Sequence, residues 1–233
     1  MQDQQRPQPP QKKNGRTLGI LIVIIIILIA LGIYSHFKNK ATAPTTAPTP
    51  TQEQPAPNKT SLPTPKTISA FTLTDDSGKP FTNDNLRGHW TLMFFGFTHC
   101  GDVCPTTLTE LNKMVQALNK QSFTQLPQVV FVSVDPDRDS TDVIHNYVKN
   151  FNPSFIGARG DAQTLDTFAK EMGVYFSKVP GPDANTYSVN HSSQLHVFDP
   201  NGNWVAILTY PFQADQLVKT YEAMVNAPAS ATH

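Results

Sequence analysis

Apolar positions follow three different rhythms along this chain. From Leu18 to Tyr34, seventeen consecutive residues carry no charge and are apolar apart from two glycines and the closing tyrosine. At about 1.5 Å of rise per residue such a run crosses most of a ~30 Å hydrocarbon core. A transmembrane anchor is therefore expected over residues 18–37, with residues 1–17 ahead of it. Residues 38–65 lose the apolar character and are punctuated by Pro44, Pro48, Pro50, Pro55, Pro57, Pro63 and Pro65. Prolines at that density favour an extended tether of ~3.1 Å per residue, enough to hold a following domain up to ~75 Å from a bilayer.

Over residues 66–227 the pattern alternates between short apolar runs and helical spacings. Ile68 to Leu73 predicts a strand closed by the turn Asp75-Asp76-Ser77-Gly78. Trp90 to Phe97 is a continuous apolar and aromatic run, expected of a central strand covered on both faces. After Cys104, Pro105 suits the first helical position, and Leu108, Leu111, Met114, Val115 and Leu118 recur at helical spacing. Val129 to Val134 predicts a second buried strand, and Thr141 to Phe151 a second helix, joined by a right-handed crossover that sets the two strands parallel. Leu165, Phe168, Ala169 and Met172 mark a third helix stopped by Gly173. Gln194–Phe198 and Trp204–Leu208 flank a hairpin turn at Asp199-Pro200-Asn201-Gly202, and Ala214–Val225 reads as a closing helix. The expected fold class is α/β and thioredoxin-like, a central mixed sheet flanked by helices, behind an N-terminal transmembrane helix.

Charge orients this arrangement. Arg6, Lys12, Lys13 and Arg16 precede the apolar run and only Lys38 and Lys40 follow it closely, which places the N-terminus in the cytoplasm and the domain outside. A cleaved signal peptide ending near Ala41-Thr42-Ala43 is the competing reading, but its apolar stretch would be about 7–15 residues and seldom followed by lysines. Residues 1–17, rich in Gln and Pro, lack the amphipathic Arg/Ser pattern of a mitochondrial presequence. The formal net charge is zero, yet residues 1–61 hold seven Lys or Arg against Asp3 and Glu53, leaving the remainder five units negative. No basic patch supports a nucleic-acid role.

The two cysteines of the chain, Cys100 and Cys104, lie directly after the first buried strand, in His99-Cys100-Gly101-Asp102-Val103-Cys104-Pro105. An exported domain favours disulfides, but a bridge across so short a loop constrains the unfolded chain little, and about 160 residues bury a core without staples. Chemistry explains the pair better. At a strand-to-helix junction both sulfurs emerge on one face, next to the positive end of a helix. That arrangement is compatible with copper or zinc binding, with thiol-disulfide exchange, or with both.

Two thiolates leave a metal under-coordinated. His191, in a polar loop that introduces the strand Gln194–Phe198, is the favoured third donor, because in a thioredoxin-like sheet that loop packs beside the thiol loop. His196, inside the strand, is the less favoured alternative. His99 is expected to point to the opposite face from Cys100 and to modulate the thiolate. Asp135 ends a parallel strand, where α/β sites assemble, and is a candidate for steering the site; Asp139 or Ser140 is expected to cap the next helix.

Taken together, Gly96-Phe97-Thr98-His99-Cys100 with Asp102-Val103-Cys104-Pro105, Ser133-Val134-Asp135-Pro136 with Arg138-Asp139, and His191-Ser192-Ser193 ahead of Asp199-Pro200 and Gly202 resemble the Sco/SenC family of membrane-tethered copper chaperones. The resemblance spans about Ile68 to Tyr221. It implies copper, as Cu(I) or Cu(II), bound through Cys100, Cys104 and His191, and assistance in assembling the copper centre of cytochrome c oxidase. It also implies the copper-bearing oxidase subunit as partner, with other copper chaperones or thioredoxin-like reductants beside it. The implied setting is a bacterial inner membrane, single-pass, with the domain periplasmic. Gly101 stands where the family commonly has Pro, and Asn190 where relatives often have Asp. The alternative is a thiol-disulfide oxidoreductase using Cys100 and Cys104 as its redox-active pair, which would not need His191; a peroxide-reducing thiol protein is a more distant third.

Overall fold

The computed structural model describes residues 25–29, 31, 59–183 and 186–227. The chain divides into two units, Met1–Glu53 and Gln54–His233. In the first, Ile25 to Ile29 and Leu31 are helical with exposed side chains. The rest of the expected anchor, and residues 38–58 of the expected linker, lie outside the described residues. Among the described residues no helix is long and apolar enough to cross a membrane.

The second unit is built on an eight-stranded mixed sheet. Its strands are β1 (Lys59–Lys66), β2 (Thr72–Asp75), β3 (Pro80–Thr82), β4 (Thr91–Gly96), β5 (Gln128–Ser133), β6 (Ile156–Arg159), β9 (Leu195–Phe198) and β10 (Trp204–Leu208). Their order is β1-β10-β9-β4-β5-β6-β2-β3. β4, β5 and β6 run parallel and the other pairs antiparallel. Every residue of β4 is buried, as its unbroken apolar run requires of a strand covered on both faces. Helices α1 (Val103–Lys120), α2 (Thr141–Phe151), α3 (Ala162–Glu171) and α4 (Ala214–Val225) cover the sheet. A separate two-stranded sheet pairs β7 (Phe176–Pro180) with β8 (Tyr187–His191).

Local chemistry sets the element ends. Ser140 caps α2 by accepting from the Val143 amide at 3.3 Å, and Asp161 caps α3 by accepting from Thr164 at 2.7 Å. Gly173 follows α3 with φ +65°, the left-handed turn that glycine adopts without strain. Pro105 is the third residue of α1 rather than the first, still within the turn whose amides lack helical partners.

Three departures from the sequence reading have physical causes. Lys59–Lys66, all but its last residue expected in the linker, is edge strand β1 on β10; its register breaks between Ser61 and Lys66, where Pro63 and Pro65 have no amide to give. The strand expected over Ile68–Leu73 begins only at Thr72. The Asn83 side chain accepts from the Phe71 amide at 3.0 Å and donates to the Ile68 and Ser69 carbonyls at 3.3 and 3.1 Å, so those groups join no ladder. The β7–β8 hairpin went unforeseen because its exposed, mixed residues carry no clear period.

Candidate metal centre

The C-terminal ends of β4 and β5 deliver the chain into two loops on one edge of the sheet. The first, following β4, carries Cys100 and enters α1, which buries Cys104 in its first turn. His191 is the last residue of β8, not part of a loop as its polar surroundings imply. Cys100, Cys104 and His191 offer ligand atoms that all lie within 4.8 Å of one another. His191 Nε2 is 3.3 Å from Cys104 Sγ, and the Cys104 amide donates to Cys100 Sγ at 3.5 Å.

The two thiols are shifted in opposite directions. The hydrogen bond from Cys104 pulls the Cys100 thiol far below its usual range, against the opposing effect of burial; His191 and the Asp102 and Cys104 amides add to the lowering. Cys104 is pushed up, first because it supplies that hydrogen bond and then because it is buried. Cys100 is partly exposed and Cys104 buried, so the thiol whose pKa is lowered is also the one that solvent reaches.

The imidazole is equally specified. A carbonyl only accepts, so the 2.9 Å contact between His191 Nδ1 and the Ser192 carbonyl requires a proton on Nδ1. Nε2 is then the ring nitrogen that faces the sulfurs, able to donate to a thiolate while it carries a proton and to bind a metal through its lone pair once it does not. Phe94 and Phe97 meet the ring edge-on, at centroid separations of 6.0 and 5.7 Å. Beneath Cys104 lies Gly96, where a Cβ would come within 2.8 Å of the sulfur and 2.7 Å of the Phe131 ring. Gly101 faces open space, with nothing within 4 Å of a Cβ placed there.

Fully buried Asp139, expected at most to cap a helix, instead fastens the thiol loop. It accepts from the Thr98 amide at 3.0 Å, the Thr98 hydroxyl at 2.6 Å and the Ser133 hydroxyl at 2.6 Å. The Thr98 hydroxyl, committed to Asp139, also contacts His99 Nδ1 at 3.1 Å. His99 is half-exposed and does not join the Cys-Cys-His cluster. Asp135 is also fully buried; it accepts from Arg138 Nε at 2.5 Å and from the Tyr187 hydroxyl at 2.6 Å, which ties it to the strand that carries His191. His196 faces the core between Phe95 and Trp204, with neither ring nitrogen hydrogen-bonded, and takes no part in the cluster. Tyr187 had no signal of its own in the sequence, and Arg138 had only its place in the Asp135-Pro136 turn and in the motif that carries the family resemblance.

Residues 59–226 match the family model described as SCO1/SenC. A SCO2-like protein of Rickettsia felis is 38% identical over 136 residues, 58% of this chain and 65% of its own length. This chain thus spans just under two thirds of that relative. ScoI of Arabidopsis thaliana, solved with copper bound, is similar with a TM-score of 0.65 at 34% identity, covering 69% of this chain and 98% of that one. Yeast Sco1 with copper bound gives a TM-score of 0.66 at 31% identity, covering 72% and 92%.

Proposed function

The chain belongs to the SCO1/SenC family, and we propose that it is a membrane-tethered copper chaperone that carries copper as cargo on Cys100, Cys104 and His191 and passes it to the copper-bearing subunit of cytochrome c oxidase. The observation that carries this reading is the convergence of two thiols from one loop-to-helix stretch and one imidazole from a distant hairpin to within 4.8 Å. Soft sulfur donors with an imidazole suit copper and disfavour magnesium or calcium. The similar Arabidopsis and yeast structures contain copper, which supports the same cargo here.

Loading follows from the protonation states. Cys100 has its pKa drawn down towards the thiolate, Cys104 gives up its proton to bind the metal, and Nε2 of His191 binds it through its lone pair. Because Cys104 is buried while Cys100 and His191 are partly exposed, an acceptor's ligands approach from the Cys100 and His191 side. Residues 18–37 act in this proposal as the anchor of a single-pass protein in a bacterial inner membrane, N-terminus cytoplasmic and domain periplasmic. The charge-free apolar run and the exposed helical residues Ile25 to Ile29 support it. Residues 38–58 serve as the tether.

A second reading, thiol-disulfide exchange, is favoured by one specific observation. A low-pKa, partly exposed Cys100 beside a buried, protonated Cys104 is the division expected of an attacking and a resolving thiol. The test uses the full-length chain in detergent, loaded with one equivalent of Cu(I) and mixed with a metal-free oxidase copper domain. The copper content of the re-isolated acceptor should rise with the parent and not with Cys100→Ser. A parent that transfers no copper but turns over protein disulfides would replace the chaperone reading with the oxidoreductase.

A further inference from the structure

His191 stands on a hairpin that is not part of the main sheet. Two-stranded hairpins are marginal by themselves, so the position of the third donor depends on what holds β8. At the His191 end the hairpin closes largely on itself, Ser192 and Tyr175 exchanging hydrogen bonds of 2.9 and 3.0 Å. At the other end the cross-strand hydrogen bonds skip Tyr187: Gly181 donates to the Thr186 carbonyl at 2.8 Å, so the pair Pro180–Tyr187 is a non-hydrogen-bonded one and the Tyr187 carbonyl faces away from β7. Arg138, from the loop after β5, supplies a donor to that outward carbonyl: its Nη1 reaches it at 2.9 Å.

The same guanidinium lies over the Tyr187 ring at 3.6 Å and over the Phe97 ring at 5.8 Å, so it bridges the hairpin and the thiol loop. Its Nε is held at 2.5 Å by Asp135, whose other oxygen accepts from the Tyr187 hydroxyl at 2.6 Å. The planar fork makes this four-way arrangement possible; a lysine ammonium cannot reproduce it.

We propose that Arg138 is a positioning residue that sets which copper oxidation state the site prefers. Through Tyr187 it clamps β8 so that the His191 imidazole stays against the two sulfurs. With the clamp open, the site falls back to its two thiolates, which suit Cu(I), whereas Cu(II) relies on the nitrogen donor. This rests on the three-donor copper reading given above.

The experiment measures Cu(I) and Cu(II) affinities of the full-length chain in detergent under anaerobic conditions. Competition uses bathocuproine disulfonate for Cu(I) and a Cu(II) chelator for the other state, and electron paramagnetic resonance reads the nitrogen hyperfine coupling of Cu(II). Arg138→Met is expected to weaken Cu(II) binding about 10- to 100-fold, the range typical of losing a residue that orients a ligand, to weaken the nitrogen coupling, and to leave Cu(I) affinity at the parent value. Arg138→Lys should not rescue. Tyr187→Phe, which removes only one hydroxyl, should shift binding in the same direction by less, and it carries the test if Arg138→Met does not fold. Parent-like Cu(II) affinity in these variants overturns the proposal, and so does an equal loss of both oxidation states, which marks a purely structural role. Failure of the underlying reading is distinct: the parent would take up no copper, or His191→Ala would not discriminate between the two states.

Discussion

Nε2 of His191 lies 3.3 Å from the sulfur of Cys104, across 87 residues of sequence. Neither residue reaches the other through local structure. Cys104 is placed by the first turn of α1, whereas His191 is placed by a hairpin whose far end is fastened to the loop after β5. A site assembled this way separates two kinds of control, one over the thiols and one over the imidazole.

The opposite shifts of the thiols give a first expectation. Cys100, lowered and partly exposed, should be alkylated by iodoacetamide well before Cys104, which is raised and buried. Because its folded pKa lies below the usual thiol range, Cys100 remains a thiolate as the pH falls through that range, and its labelling rate should stay high in mildly acid solution. Mass-spectrometric mapping checks this, and faster labelling of Cys104 would contradict it.

Gly96 should not accept a side chain. In Gly96→Ala the new Cβ would press on the Cys104 sulfur and the Phe131 ring, at 2.8 and 2.7 Å. Overpacking of this kind costs about 1–3 kcal/mol, and here the displaced atom is a proposed ligand. Thermal melts should show the loss of stability, and metal analysis a copper content below the parent's.

Asp139 should matter more to the thiol loop than its place before a helix implies. Asp139→Ala leaves the Thr98 amide and the Ser133 hydroxyl without their buried acceptor. Each buried donor left without its acceptor costs about 1–3 kcal/mol. The expected outcome is a melting temperature several degrees lower with faster alkylation of Cys104; an unchanged melt would show that the loop is held by other contacts.

His196 should make the fold acid-sensitive. Burial alone lowers its pKa to about 4, and neither nitrogen has a partner. The folded value lies below the unfolded one of about 6.5, so folding favours the neutral ring. The contribution is complete above pH ~6.5 and is lost as the pH falls towards ~4. A difference of about 2.5 units corresponds to about 3 kcal/mol. Denaturant melts across this window should show the decline, and His196→Leu should flatten it; an equal decline in the variant would assign it to other groups.

Much of the fold was legible because its central strands and helices repeat at clear periods. Trp90–Phe97, Val129–Val134 and Thr141–Phe151 match β4, β5 and α2 to within about two residues at each end. The cysteine pair was legible as chemistry because it is the whole cysteine content and follows a buried strand, and His191 because the segment leading into Gln194–Phe198 was expected beside the thiol loop. What supports them was less visible. Asp139 reads locally as a helix cap, and only the fold brings Thr98 and Ser133 to it. Tyr187 and Arg138 are 49 residues apart and acquire meaning only when the hairpin meets the loop after β5. β1 was hidden by its prolines, which read as linker and which an edge strand tolerates.

X-ray absorption at the copper edge, on the full-length chain loaded with one equivalent of copper, tests the central claim most directly. The account predicts two sulfur ligands and one imidazole per copper, with the imidazole signal lost in His191→Ala and sulfur ligation lost in the Cys100→Ser, Cys104→Ser double variant. An unchanged imidazole signal in His191→Ala, or copper bound without both sulfurs in the parent, would contradict it.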